Sequence, residues 1–332
     1  MKPSYLIFGA ILISCALNLC TNDAHGGEPR RIRLTYSCEI TDLPTDASRV
    51  DLWMPVPTDT IGQTVRKVEV IRPNGGKIDT EPEYGNQVYH RRFEGPFKNE
   101  TELGAELRYD VDKTEVMIEE AKSLPRRKYG KPGSELGAYL TANAMIPTDG
   151  PAAEIAQTLK LRKDDPVRTA RKMYDFLIDT FEYNWKAEGA GRGDVKWACD
   201  SKTGDCTDYH STFLAVCRHK GIPADHQFGF PIPKNKTGGK LIHWHCWAQF
   251  WAEGAGWIPV DISEADKHPE LKEYNFGSLT PNLIRMAHGR DVTLQPPQQG
   301  QPLNIFIFPY VEVDGKEHEG VEWTASFVEL EG

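Results

Sequence analysis

The stretch from Lys202 to Asp261 carries a thiol, an imidazole and a carboxylate in order. Cys206 lies in Gly204-Asp205-Cys206-Thr207-Asp208, His245 in His245-Cys246-Trp247, and Asp261 closes Gly256-Trp257-Ile258-Pro259-Val260-Asp261. These are the groups that a cysteine nucleophile with an oriented base requires. Taken singly, each has a plainer reading. A free Cys is commonly a buried inert thiol, a strand His a packing residue, and an Asp at a strand end a turn or capping residue. A metal cluster of Cys206, His210 and His243 or His245 is conceivable but lacks paired ligand spacing, so no metal is expected.

Three elements must bring the groups together. From Cys206 the apolar positions Tyr209, Phe213 and Val216 recur at helical spacing, and Gly221 and Pro223 end the run. Cys206 therefore starts a helix, where free backbone N–H groups and the helix dipole favour a thiolate; Asp205 or Thr207 caps it. Leu241–Trp251 reads as a strand and Trp257–Asp261 as another, joined by the Gly-containing turn at 252–256 as a hairpin. His243 and His245 share parity with Trp247, and Cys246 faces the other way. Upstream, Asp165 caps a helix whose stripe runs through Val167, Ala170, Tyr174, Leu177 and Phe181. The Gly-rich segment from Trp185 to Lys202 has neither the preceding strand nor the Gly-Lys-Ser/Thr of a phosphate cradle, and is expected as a loop wall beside the cysteine helix. Asp208, His210 and Cys246 fall nearby, with packing or hydrogen-bonding roles expected.

Around this centre, Ile32, Leu34, Tyr36, Cys38 and Ile40 alternate with polar residues, and strand-like runs follow at Val50–Met54, Val65–Ile71, Gln87–Phe93 and Leu103–Val111. They predict an antiparallel β-sandwich over residues 29–118, then a basic linker over 119–134, then an α+β core over 135–332 with a C-terminal β extension. That extension is expected to include strands around Leu303–Tyr310, Val311–Val313 and Trp323–Leu330. Residues 1–26 read as a signal peptide, with Lys2, an apolar run from Tyr5 to Leu19 and Ala24-His25-Gly26 at the exit. A lipid anchor at Cys15, after Leu12-Ile13-Ser14, is the alternative. Export to the periplasm or outside is the expectation, with no stable membrane span. Removing that segment leaves Cys38, Cys199, Cys206, Cys217 and Cys246, an odd number, so at least one thiol stays unpaired. A net charge of −9 over 332 residues and no basic run with interleaved aromatics argue against a nucleic-acid partner.

Gly-x-Cys-x-Asp opening a helix, Gly221-Ile222-Pro223-Ala224, His245-x-Trp247 and Gly256-Trp257-x-x-x-Asp261 together resemble the transglutaminase-like core of bacterial exported proteins. The resemblance covers roughly residues 135–265 by motif order. It implies a papain-like fold with Cys206 as nucleophile, His245 as general base and acid, and Asp261 orienting His245. It also implies an oxyanion donor drawn from Tyr183, Trp185 or Trp197, of which Trp197 is taken as the candidate. The expected function is attack on amide bonds of a protein or peptide through an acyl-thioester, resolved by water or an amine, with no cofactor. A non-enzymatic binding or assembly module that keeps the fold is the alternative. Oligomeric state is left open.

Overall fold

The computed structural model describes residues 28–97, 103–125 and 129–331. The expected signal peptide and Cys15, and the basic residues 126–128 of the expected linker, lie outside them. The fold is α+β, with a β-sandwich beside a helical core packed on an antiparallel sheet.

One sandwich layer has five strands in the order Gly238–Leu241, Val321–Glu329, Arg30–Ile40, Leu103–Lys113 and Gln63–Arg72. The other runs Lys316–Glu317, Tyr310–Val313, Arg49–Val56, Gln87–Glu94 and Lys77–Thr80. In Arg30–Ile40 the alternating apolar side chains point inward, and Ile32, Leu34, Tyr36 and Cys38 are buried against Val50, Leu52 and Met54. The polar tips of the buried tyrosines reach backbone oxygens, Tyr36 to Ile307 (2.9 Å) and Tyr109 to Pro55 (3.1 Å), which makes their burial affordable.

The C-terminal strands, expected as an extension of the core, complete both layers of the sandwich. Val321–Glu329 pairs with Arg30–Ile40, and Tyr310–Val313 with Arg49–Val56. Two other expectations change. The run Ile305-Phe306-Ile307-Phe308 is not a strand; its buried side chains divide, Ile307 into the sandwich core and Phe306 into a small cluster around Trp53. The single strand expected over Leu241–Trp251 is two. Gly238–Leu241 belongs to the sandwich, the pairing breaks at Ile242-His243-Trp244, and His245–Ala252 belongs to the core sheet.

The helices are α1 (Glu119–Ser123), α2 (Pro151–Thr158), α3 (Pro166–Thr180), α4 (Val195–Ser201), α5 (Cys206–His219) and α6 (Ile262–Lys267). Asp165 caps α3 as its sequence requires, accepting from the Arg168 N–H. Every residue of α5 from Cys206 to Arg218 is buried. This helix packs on a sheet ordered Gly256–Val260, His245–Ala252, Ala224–Pro231 and Leu283–His288, sharing one apolar cluster through Phe213, Leu214, Trp247 and Phe250. No helix among the described residues is long and apolar enough to cross a membrane.

Candidate active site

The start of α5 is fixed by a reciprocal cap. Asp205 accepts from the Thr207 N–H (2.7 Å), and the Asp208 carboxylate accepts from the Asp205 N–H (2.9 Å). Gly204 is needed here: its φ is +155°, and an added Cβ would meet the Asp208 Cβ at 2.5 Å. Asp208 is fully buried and also accepts from the N–H groups of Gly191 (2.8 Å) and Gly193 (2.9 Å). So the Gly-rich segment, expected as a loop wall, is docked onto the cysteine helix. It also contains α4, whose N-cap is Asp194. Arg290, wholly buried, holds the same segment from behind, donating to the Arg192 carbonyl (2.9 Å) and to Ser211 Oγ (2.7 Å). Nothing in the sequence spacing points to Arg290.

Cys206 is the first residue of α5 and 6% exposed. A hydrogen bond from Cys246 does most to hold its thiol well below the usual thiol range; burial opposes this, and the hydrogen bond and charge of His245 reinforce it. His245 opens its strand. Its Nε2 lies 2.7 Å from Asp261 Oδ2, which leaves Nδ1 for the Cys206 sulfur. Burial works against protonation of His245, but the Asp261 charge and hydrogen bond, together with Cys206, raise it well above the usual imidazole range. Thiolate and imidazolium thus stabilise each other.

Asp261 is held in turn. Its other oxygen accepts from Ser263 Oγ (3.2 Å) and from the Glu264 N–H (3.1 Å), so it caps α6 while it orients His245. It lies just past the strand Gly256–Val260 rather than at its end. Trp247, two residues along from His245 on the same strand face, stacks near the imidazole with ring centres 6.5 Å apart and 24° between planes. That gives the His-x-Trp spacing a physical reason, since residues two apart on a strand share a face and the indole lies on the same side of the sheet as the imidazole.

The oxyanion candidate divides from the rest. Trp197 lies on α4 with its indole nitrogen against Gly189, and no hydrogen bond or ring contact among the described residues joins it to Cys206, His245 or Asp261. Tyr183 is tied to the segment that leads into Cys206. Its two-residue strand Glu182–Tyr183 pairs with Thr203–Gly204, immediately before Cys206. Burial, then the negative charge at Cys206, push its phenol well above the usual range. Lys267 Nζ sits 4.7 Å from the centre of the Tyr183 ring.

Beneath Cys206 is a cluster that spacing did not reveal. One ligand-type atom each from His210, His226 and Cys246 lies within 4.8 Å of the others, all three residues buried. Their hydrogen bonds argue against a metal. His210 Nε2 accepts from the Ile262 backbone N–H (3.0 Å), so the neutral ring carries its proton on Nδ1, 3.8 Å from Cys246 Sγ. His226 Nδ1 faces the Arg290 guanidinium (3.2 Å), which can only donate, so its proton is on Nε2. Neither imidazole has a free lone pair to offer a cation. The cluster presents N–H groups, which suit sulfur or negative charge.

Residues 153–262 match the Transglutaminase-like superfamily. An uncharacterised protein of Haemophilus influenzae is 29% identical over 209 residues, which are 53% of this chain and 57% of that protein, so the match spans little more than half of the relative. A structure of a cysteine-protease candidate from Cytophaga hutchinsonii superposes with a TM-score of 0.60 at 12% identity, covering 92% of this chain and 93% of that one. The periplasmic domain of TgpA from Pseudomonas aeruginosa gives a TM-score of 0.37 at 17% identity over 75% of this chain and 92% of that one. The helix-borne cysteine on an antiparallel sheet, the order of the motifs and the matched segment make residues 153–262 of this chain a transglutaminase-like domain.

Proposed function

We propose that the protein is an exported thiol enzyme acting on amide bonds of proteins or peptides through Cys206, His245 and Asp261. The observation that carries this reading is the 2.7 Å bond to His245 from Asp261, whose charge raises the imidazole, with Cys206 buried at the head of α5 and its thiol lowered by the same imidazole. The Cys206 thiolate attacks the amide carbonyl, and the His245 imidazolium gives its proton to the departing amine. The acyl-thioester is then resolved by water or by an amine, from which His245 takes the proton. The Cys206 backbone N–H, free of an intrahelical partner at the first helical position, is one donor for the oxyanion. The Tyr183 hydroxyl is the second donor in this reading, in place of Trp197. Export is supported by the character of residues 1–26.

Iodoacetamide alkylation tests the core of this. Cys206 in the folded protein should react faster than in the urea-unfolded chain, and remain reactive at acidic pH where a free thiol is protonated. Screening amide libraries with and without added amines then separates hydrolysis from transfer, with Cys206→Ala as the inactive control. If folded Cys206 alkylates no faster than the unfolded chain, the nucleophile assignment is lost.

A further inference from the structure

We propose that Cys246 is a resolving thiol for Cys206, so that oxidation of the Cys206 sulfur by a peroxide is captured as a reversible Cys206–Cys246 disulfide. Cys246 is fully buried on the strand His245–Ala252, with its sulfur 3.7 Å from Thr207 Oγ1 and 3.8 Å from His210 Nδ1. Both contacts belong to the turn of α5 that Cys206 opens, which sets the Cys246 sulfur beside the head of that helix, where it lowers the Cys206 thiol. The other described cysteines sit on other elements or further along the helix. Cys217 lies on the same helix, about 16 Å further along its axis. Cys38 packs on Met54 in the sandwich (3.8 Å), and Cys199 belongs to α4.

The chemistry balances in two steps. The Cys206 thiolate attacks one oxygen of hydrogen peroxide, forming a sulfenic acid and releasing hydroxide; sulfur is oxidised and the O–O bond is reduced. Cys246 then attacks the sulfenic sulfur, the S–O bond breaks, and the Cys246 proton leaves with the hydroxyl as water. In the reduced protein, burial and then the adjacent Cys206 keep the Cys246 thiol protonated. Conversion of Cys206 to the neutral sulfenic acid removes the repelling charge, and the His210 Nδ1–H faces the Cys246 sulfur as it begins to bear negative charge. The arrangement therefore arms Cys246 only after Cys206 has been oxidised. A small dithiol restores both thiols by exchange.

This inference rests on Cys206 being a thiolate, and its test reads mass rather than amide turnover. Reduced full-length protein is exposed to a modest excess of hydrogen peroxide, alkylated, and mapped by mass spectrometry. The expected product has lost about 2 Da, with the Cys206 and Cys246 peptides cross-linked, and dithiothreitol returns Cys206 to iodoacetamide reactivity. In Cys246→Ser and Cys246→Ala the same exposure should drive Cys206 to the sulfinic acid, a gain of about 32 Da that dithiothreitol does not reverse. Should either variant fail to fold, the wild-type map decides alone. A wild-type chain that goes directly to the sulfinic acid, or cross-links a different pair, overturns the inference. Fast Cys206 alkylation without a Cys206–Cys246 cross-link would sink this inference and leave the proposed enzyme standing; slow alkylation would sink the enzyme reading itself.

Discussion

Lys113 ends the strand Leu103–Lys113, 1% exposed, with its ammonium donating to Gln63 Oε1 at 3.4 Å and to no other group among the described residues. Burial, and then the neighbouring Arg285 guanidinium, push its ammonium from 10.5 down to about 7. At 1.36 kcal/mol for each pKa unit, a depression of about 3.5 corresponds to about 5 kcal/mol favouring the neutral amine in the folded state. Between pH 7 and 10.5 the unfolded chain binds a proton here that the folded chain does not. Folding stability from this group therefore rises with pH across that window and is flat below it. Lys113→Met removes the ionisable group while keeping an unbranched chain, and Gln63 Oε1 keeps its bond from the Arg285 N–H (2.9 Å). The variant should be more stable than the wild type by several kcal/mol at pH 7. That advantage should shrink by about 1.4 kcal/mol per pH unit from about pH 7.5 to 9.5. Urea unfolding followed by tryptophan fluorescence at a series of pH values measures it. A Lys113→Met advantage that is the same at every pH, or absent at pH 7, would refute the assignment of a buried neutral amine.

Three further expectations concern the site. Asp261→Asn keeps a capping oxygen for α6 but removes the charge that raises His245, so the acid limb of the Cys206 alkylation profile should move to higher pH, and amide turnover should fall at least ~100-fold; an unaltered profile counts against Asp261 as the orienting group. Gly204→Ala forces a Cβ against Asp208 at a φ of +155° and should cost about 1–3 kcal/mol in urea melts, with slower Cys206 alkylation; wild-type behaviour would show that the close approach is not structural. Tyr183→Phe should lower kcat by roughly 100-fold or more with little change in Cys206 alkylation, because only an oxyanion interaction is lost; the same loss from Trp197→Phe and none from Tyr183→Phe would return the role to Trp197.

The local signals in the sequence carried far. Asp165 with Pro166 announced α3, the run from Cys206 to Gly221 announced α5, and alternation announced Arg30–Ile40. Each of these is set by neighbours a few residues away. What escaped depends on distant chain. The pairing of Val321–Glu329 with Arg30–Ile40 has no short-range mark, and the Leu241–Trp251 run hides its change of sheet because apolar residues continue through the break at residues 242–244. α4 was masked by the glycines before it, although Asp194 is a good cap. At the site, the residue types that flank Cys206, His245 and Asp261 marked them as candidates, and Tyr183 was one of three oxyanion candidates that spacing did not separate. Arg290 and His226 were not legible, because their neighbours there are set by tertiary packing alone.

The strand Val321–Glu329 lies between Arg30–Ile40 and Gly238–Leu241 and bonds to both. During synthesis, residues 30–40 must therefore wait for nearly three hundred later residues before gaining that neighbour, an ordering that high-separation contacts make slow. The same strand steadies Gly238–Leu241, only a short span before His245. The His245 imidazole thereby rests in part on a strand translated well after it, and a chain cut before Val321 would carry the Cys206 thiol without that support for the neighbouring imidazole.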